Sequence, residues 1–83
     1  MSLRIKTADG KEGWIMEGET FTATDKLGRS AVYEHQGIDL TVNGYNIHLH
    51  NISDGTETYV EPAWFAQRKI KKVSPTNYIE QTK

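Results

Sequence analysis

Tight, glycine-bearing reversals set between alternating runs of apolar and polar side chains constrain this chain more than any other feature of its sequence. Asn43-Gly44 is the clearest: Ile38, Leu40 and Val42 precede it, and Tyr45, Ile47 and Leu49 follow it. An apolar residue at every second position is the period of a strand with one buried face. Asn-Gly supplies the two positive φ angles of a type I′ turn. A two-residue loop at Asn43-Gly44 predicts Val42 opposite Tyr45, Leu40 opposite Ile47 and Ile38 opposite Leu49, all facing the core. Asp39, Thr41, Asn46, His48 and His50 then share the other face.

Asp9-Gly10 repeats the pattern between Leu3–Thr7 and Glu12–Met16. A two-residue loop there predicts Ile5 opposite Trp14 and Leu3 opposite Met16, four inward apolar side chains with Arg4 and Lys6 outward. A further pair of strands, Thr20–Thr24 and Arg29–His35, is joined by Asp25-Lys26-Leu27-Gly28, with Phe21, Ala23, Ala31 and Tyr33 inward. Asp54-Gly55 marks one more reversal, leading into Thr56–Val60. After Val60 the period changes. Glu61-Pro62 followed by Ala63-Trp64-Phe65-Ala66 reads as a short helical turn opened by proline. A helix continuing to about Lys72 would also place Ala63, Ala66, Ile70 and Val73 on one face; a short turn over 62–66 and a last strand near Gln67–Val73 is the preferred reading.

Eighty-three residues suit one core rather than two. The expectation is a single all-β domain over residues 1–75, a small antiparallel barrel or two-layer sandwich of about six or seven short strands. Residues 76–83 are expected to form a C-terminal tail that either wraps back to pack through Tyr78 and Ile79 or frays. Two stretches resemble Src-homology-3 (SH3-like) barrels: Gly10-Lys11-Glu12-Gly13-Trp14-Ile15 resembles a strand of bacterial members, and Ser74-Pro75-Thr76-Asn77-Tyr78-Ile79-Glu80 resembles a eukaryotic terminal turn. Together they cover under a quarter of the chain. The acidic loop and paired tryptophans with which eukaryotic members bind proline-rich peptides are missing in the expected order, so neither the family nor its ligand is carried over.

The chain has no cysteine, which excludes disulfides, thiolate catalysis and cysteine-based zinc sites. No run approaches the roughly 18 apolar residues of a membrane helix, and the N-terminus lacks the apolar stretch of a signal peptide. The expected location is a cytoplasm, where the sequon Asn51-Ile52-Ser53 has no meaning. Residues 1–60 carry five Lys/Arg against nine Asp/Glu, a balance of −4, and residues 61–83 carry five against two, a balance of +3; together they give the net charge of −1.

Three binding chemistries are open. His48 and His50, with Asp39 expected opposite His48, offer imidazole and carboxylate ligands for zinc, iron or copper, with His35 or Glu57 to complete the set. A His-x-His strand after a glycine also resembles one fragment of the cupin metal motif, but that fold is larger and its next carboxylate is spaced differently. The alternative is a solvent-facing sheet surface with an Asp39–His48 pair, and no resident cofactor is expected. The basic segment Arg68, Lys69, Lys71 and Lys72, close after Trp64 and Phe65, has the cationic and stacking groups of a nucleic-acid-binding barrel. It is, however, small for such a surface. Trp14, Tyr33, Tyr59 and Trp64 are candidate anchors for a protein partner or for self-association, since large aromatics dominate interface energetics. No nucleophile elbow, phosphate-cradling glycine loop or catalytic cysteine is present, and the acidic pair Glu17 and Glu19 has no sequence feature placing it in a cleft. The expectation is a non-enzymatic binding module, with a protein partner or homo-oligomer first and nucleic acid second, in the style of a phage or mobile-element accessory protein.

Overall fold

A computed structural model describes residues 2–73. The expected packing of Tyr78 and Ile79, and the 74–80 resemblance, lie outside the described residues. The elements run β1 (Ser2–Lys6), β2 (Glu12–Met16), β3 (Thr20–Thr24), β4 (Ser30–Thr41), β5 (Gly44–Asn51), β6 (Glu57–Val60), α1 (Pro62–Ala66) and β7 (Lys69–Val73). They form two antiparallel sheets, β1-β2 and β6-β5-β4-β3-β7. The protein is mostly β, as expected. The two ladders remain separate among the described residues, and the Ala8 N–H donates to the Arg68 carbonyl (2.9 Å) at one end between them.

One core lies between the sheets. Leu3 and Ile15 come from the small sheet, Phe21, Ala23, Ile47, Leu49 and Val60 from the large one, and Phe65 from α1. Phe21 is the hub: its ring lies 5.8 Å from Tyr33, 5.8 Å from Phe65 and 6.4 Å from Trp64. Such offset and edge-on contacts add to what area burial contributes. Pro62 opens α1 where a missing N–H costs nothing, and the single turn suffices to seat Phe65. The chain then resumes as β7, the reading preferred from sequence.

The β3–β4 pair follows expectation, with Phe21 opposite Tyr33 and Ala23 opposite Ala31. Its loop is held by Asp25, whose carboxylate accepts from the Leu27 and Arg29 N–H groups (2.9 and 3.0 Å) and from Arg29 Nε (2.9 Å). The other two hairpins depart from expectation. At Asp9-Gly10 the Thr7 N–H reaches the Lys11 carbonyl (2.9 Å) and the Gly10 N–H the Thr7 carbonyl (3.0 Å), so the loop has three residues, not two. Gly10 alone takes the left-handed conformation (φ +81°), and no described non-glycine residue has a positive φ. A type I turn closed by a left-handed glycine spares Asp9 the strain a type I′ turn would impose. The register therefore slips by one: Leu3 faces Ile15 and Arg4 faces Trp14. A slip of one exchanges the faces, so Ile15 is buried while Trp14 and Met16 are 54% and 51% exposed.

At Asn43-Gly44 the loop is Val42-Asn43, with Thr41 opposite Gly44, Leu40 opposite Tyr45 and Ile38 opposite Ile47. This is a slip of two. The expected faces survive, but every pair moves along the strand. Val42 is left fully exposed in the turn and Leu40 is 86% exposed, a correction to its expected burial, while Ile47 and Leu49 are completely buried.

Candidate functional site

The β4–β5 hairpin outruns its neighbours. On one side β3 pairs with β4 only between Ser30 and Glu34; on the other, β6 meets β5 only from Ile47 onward. Beyond those limits residues 36–41 and 44–46 form a two-stranded arm. A register irregularity between His35 and Gly37 bends β4 where the arm leaves the sheet. The same point is pinned to the corner between β2 and β3, where the Gly18 N–H donates to the His35 carbonyl (2.7 Å) and the His35 N–H to the Glu19 carbonyl (3.0 Å). On the arm Leu40, Val42 and Tyr45 meet solvent. Between its tip and the start of α1 lies an open cleft of about 600 Å³, lined by Thr41, Asn43, Gly44, Tyr45, Asn46, Glu61, Pro62 and Ala63. Alternation marks Leu40 and Tyr45 as core-facing, and they do share the core-facing side of the ribbon; only the extent of the flanking strands shows that no core lies beneath them.

The outer face of the large sheet holds the histidines. His48 lies opposite Tyr59 of β6 and stacks on its ring (centroids 4.5 Å apart, planes 13° apart), and His50 lies opposite Glu57. Both imidazoles converge on one carboxylate: His48 Nε2 meets Glu57 Oε1 at 2.7 Å, and His50 Nδ1 meets Glu57 Oε2. These contacts, that of His50 first, hold the Glu57 carboxyl below the usual carboxylate range. Asp39, expected opposite His48, instead faces Asn46; Gly37 takes the place across from His48. The two-residue slip in the turn moves Asp39 away, and Glu57, expected only as a completing ligand, is the true partner. His35, the other candidate, is buried on the opposite face. Among the described residues no group of three or more His, Cys, Asp or Glu side chains is placed to hold a metal ion.

The basic segment does not form one track. Arg68 lies over the Trp64 ring, 4.3 Å from its centroid, and donates to the Trp64 carbonyl. Alternation in β7 pairs Lys69 with Thr24 and Lys71 with Thr22 on the outer face, whereas Lys72 turns to the other side and reaches Glu19 (3.4 Å). Trp64 and Tyr33 belong to the aromatic cluster, their rings 5.1 Å apart and edge-on. Of the four aromatic candidates, Trp14 and Tyr59 are the exposed ones. Compared with known proteins, the chain has no counterpart that would name its family: no family model, curated protein or solved structure matches it.

Proposed function

We propose that this domain works by binding a protein, either a partner or a second copy of itself, through the arm of the β4–β5 hairpin. The carrying observation is the exposure of Leu40 and Val42, 86% and 100%, at the tip of a two-stranded ribbon that extends past both of its flanking strands. Fully burying a side chain of this kind contributes roughly 1.5–3 kcal/mol. Leu40, Val42 and Tyr45 together would then offset much of the freedom lost on association, put at about 4–15 kcal/mol. Neighbouring polar groups of the cleft, Asn43 and Asn46 among them, would supply the hydrogen bonds of an interface rim.

We further infer an SH3-like barrel left open on one side, because the chain turns sharply from the small sheet into the large one at Glu17–Glu19, as strands do at a barrel corner. No described helix is long and apolar enough to cross a membrane; a cytoplasmic setting and a non-catalytic role are part of the proposal.

Light scattering over a wide concentration range, run beside capture from a cell extract, tests the reading with wild type and Leu40→Asp/Val42→Asp. The expected result is a dimer or a specific captured protein with wild type only. Equal behaviour of the two chains would overturn the arm as the contact. Retention on heparin that falls steeply with salt and is lost in Lys69→Glu/Lys71→Glu would instead favour nucleic acid.

A further inference from the structure

We infer a binding site for a phosphate group, free or carried on a nucleotide chain, at the end of the large sheet away from the arm, with Lys26, Arg29 and Arg68 as its cations. An open cleft of about 290 Å³ lies there, lined by those three residues together with Asp25, Leu27 and Gln67. Its size is close to the lower bound for small-molecule sites, about 300 Å³. Strand pairing brings the cations together from distant parts of the chain. Thr24 pairs with Ser30 on one side and with Lys69 on the other. The 25–29 loop and residues 67–68 therefore leave the sheet at the same end, and β4 runs 12 residues from there to the tip of the arm.

Three cations against one carboxylate give the lining a balance of +2, in a chain whose net charge is −1. That carboxylate is engaged within its own loop, where Asp25 accepts from the Leu27 and Arg29 N–H groups and from Arg29 Nε. The last contact holds one edge of the Arg29 guanidinium. Arg68 is held by the Trp64 ring under its guanidinium and by the bond from Nη1 to the Trp64 carbonyl (3.1 Å). Each guanidinium carries five N–H donors. Among the described residues these hydrogen bonds take one donor from each, so most of both forks is left for an incoming anion. Guanidinium forks bind phosphate oxygens in pairs, and groups already held at one edge lose little freedom in doing so. Lys26 adds a point charge. Leu27, 76% exposed, offers apolar contact to whatever carries the phosphate.

The test is a calorimetric titration of the untagged chain with inorganic phosphate, with adenosine 5′-monophosphate and with a short single strand of DNA, beside amide spectra from nuclear magnetic resonance. Saturable binding should shift the amides of Leu27, Arg29, Gln67 and Arg68. Tightest binding of the single strand would place the phosphate in a nucleic-acid backbone, and equal or tighter binding of the small anions would make it a free or mononucleotide phosphate. Arg68→Lys keeps the charge but loses the fork, and should weaken binding by about 10-fold, the scale of a hydrogen bond to a charged group. Lys26→Gln, which removes none of the Asp25 contacts, should weaken it by up to about 5-fold, the scale of an exposed ion pair. Leu40→Asp/Val42→Asp should leave it unchanged, which keeps this site separable from association through the arm. Saturable binding of none of the three probes, full affinity in Arg68→Lys, or shifts confined to the Lys69 and Lys71 face would overturn the site. The spectra are read on the wild-type chain, so the outcome does not depend on how well the variants fold.

Discussion

Two hairpins of this domain carry the same kind of turn signal and miss their expected registers differently. In β1–β2 the error is one residue; in β4–β5 it is two. Because side chains alternate with a period of two, the first error exchanges inside and outside, putting Trp14 in solvent and Ile15 in the core, while the second keeps the faces and only slides the pairs. The comparison separates two questions that a single turn motif does not answer together. Parity decides which residues are buried. The flanking strands decide how far along the ribbon burial extends, and Leu40, correct in parity, still ends beyond the reach of β3 and β6.

The largest effects should come from exchanging the members of each hairpin. Ile15→Ala and Ile47→Ala remove side chains that are 1% and 0% exposed and should each cost about 2–5 kcal/mol in denaturant unfolding. Trp14→Ala and Leu40→Ala should stay within about 0.5 kcal/mol, as exposed substitutions do. If Trp14→Ala instead costs more than Ile15→Ala, the loop at Asp9-Gly10 has two residues and Leu3 does not face Ile15. Leu40→Asp sharpens the second half of the comparison, since it should leave unfolding unchanged while removing the association proposed for the arm.

A smaller effect separates the turns themselves. Gly10 has φ +81° with open space around its Cα, so Gly10→Ala is opposed by backbone strain alone and should cost about 1–2 kcal/mol. Asn43 has no positive φ, so Asn43→Ala should cost less than about 0.5 kcal/mol. In a type I′ turn Asn43 would need the left-handed conformation, and its replacement would then cost as much as that of Gly10. Thermal unfolding of the two variants distinguishes the two turn types.

How much of this was legible in the sequence follows from the same physics. The β3–β4 pair was readable because Asp25 and Gly28 specify their loop by local hydrogen bonding and chain geometry, leaving Phe21, Ala23 and Tyr33 one way to face. The helical turn was readable from Pro62. The two registers were not, because Asp-Gly fits loops of more than one length and Asn-Gly can stand either within a two-residue loop or across its end, and the choice rests on which residues the rest of the core can accommodate. The histidine cluster was half legible. His48 and His50 share a face on any register, but their partner depends on pairing: Asp39 was the neighbour the expected turn supplied, and Glu57 is the one that the 52–55 loop brings round.

The smallest expected effect concerns two acids that each tie a pair of neighbouring strands, Glu12 across β1–β2 and Glu57 across β5–β6. Glu12 is held below the usual carboxylate range first by its hydrogen bond to Arg4, and Glu57 first by that to His50. A carboxyl whose folded value is depressed binds protons more weakly folded than unfolded. Its contribution is therefore complete above the unfolded value, near 4.5 for Glu, and is lost as pH falls through the folded one. Melting temperatures of wild type, Glu12→Gln and Glu57→Gln should differ at pH 6 and converge by about pH 2–3, where wild type has lost the same charges. Both groups are solvent-exposed, so the differences should be small and should shrink in 1 M salt, where the Debye length is about 3 Å. A gap that widens as pH falls below about 4 would mean that the carboxyls are stabilised in their protonated form, and neither Glu12 beside Arg4 nor Glu57 beside His50 would then be held as a carboxylate.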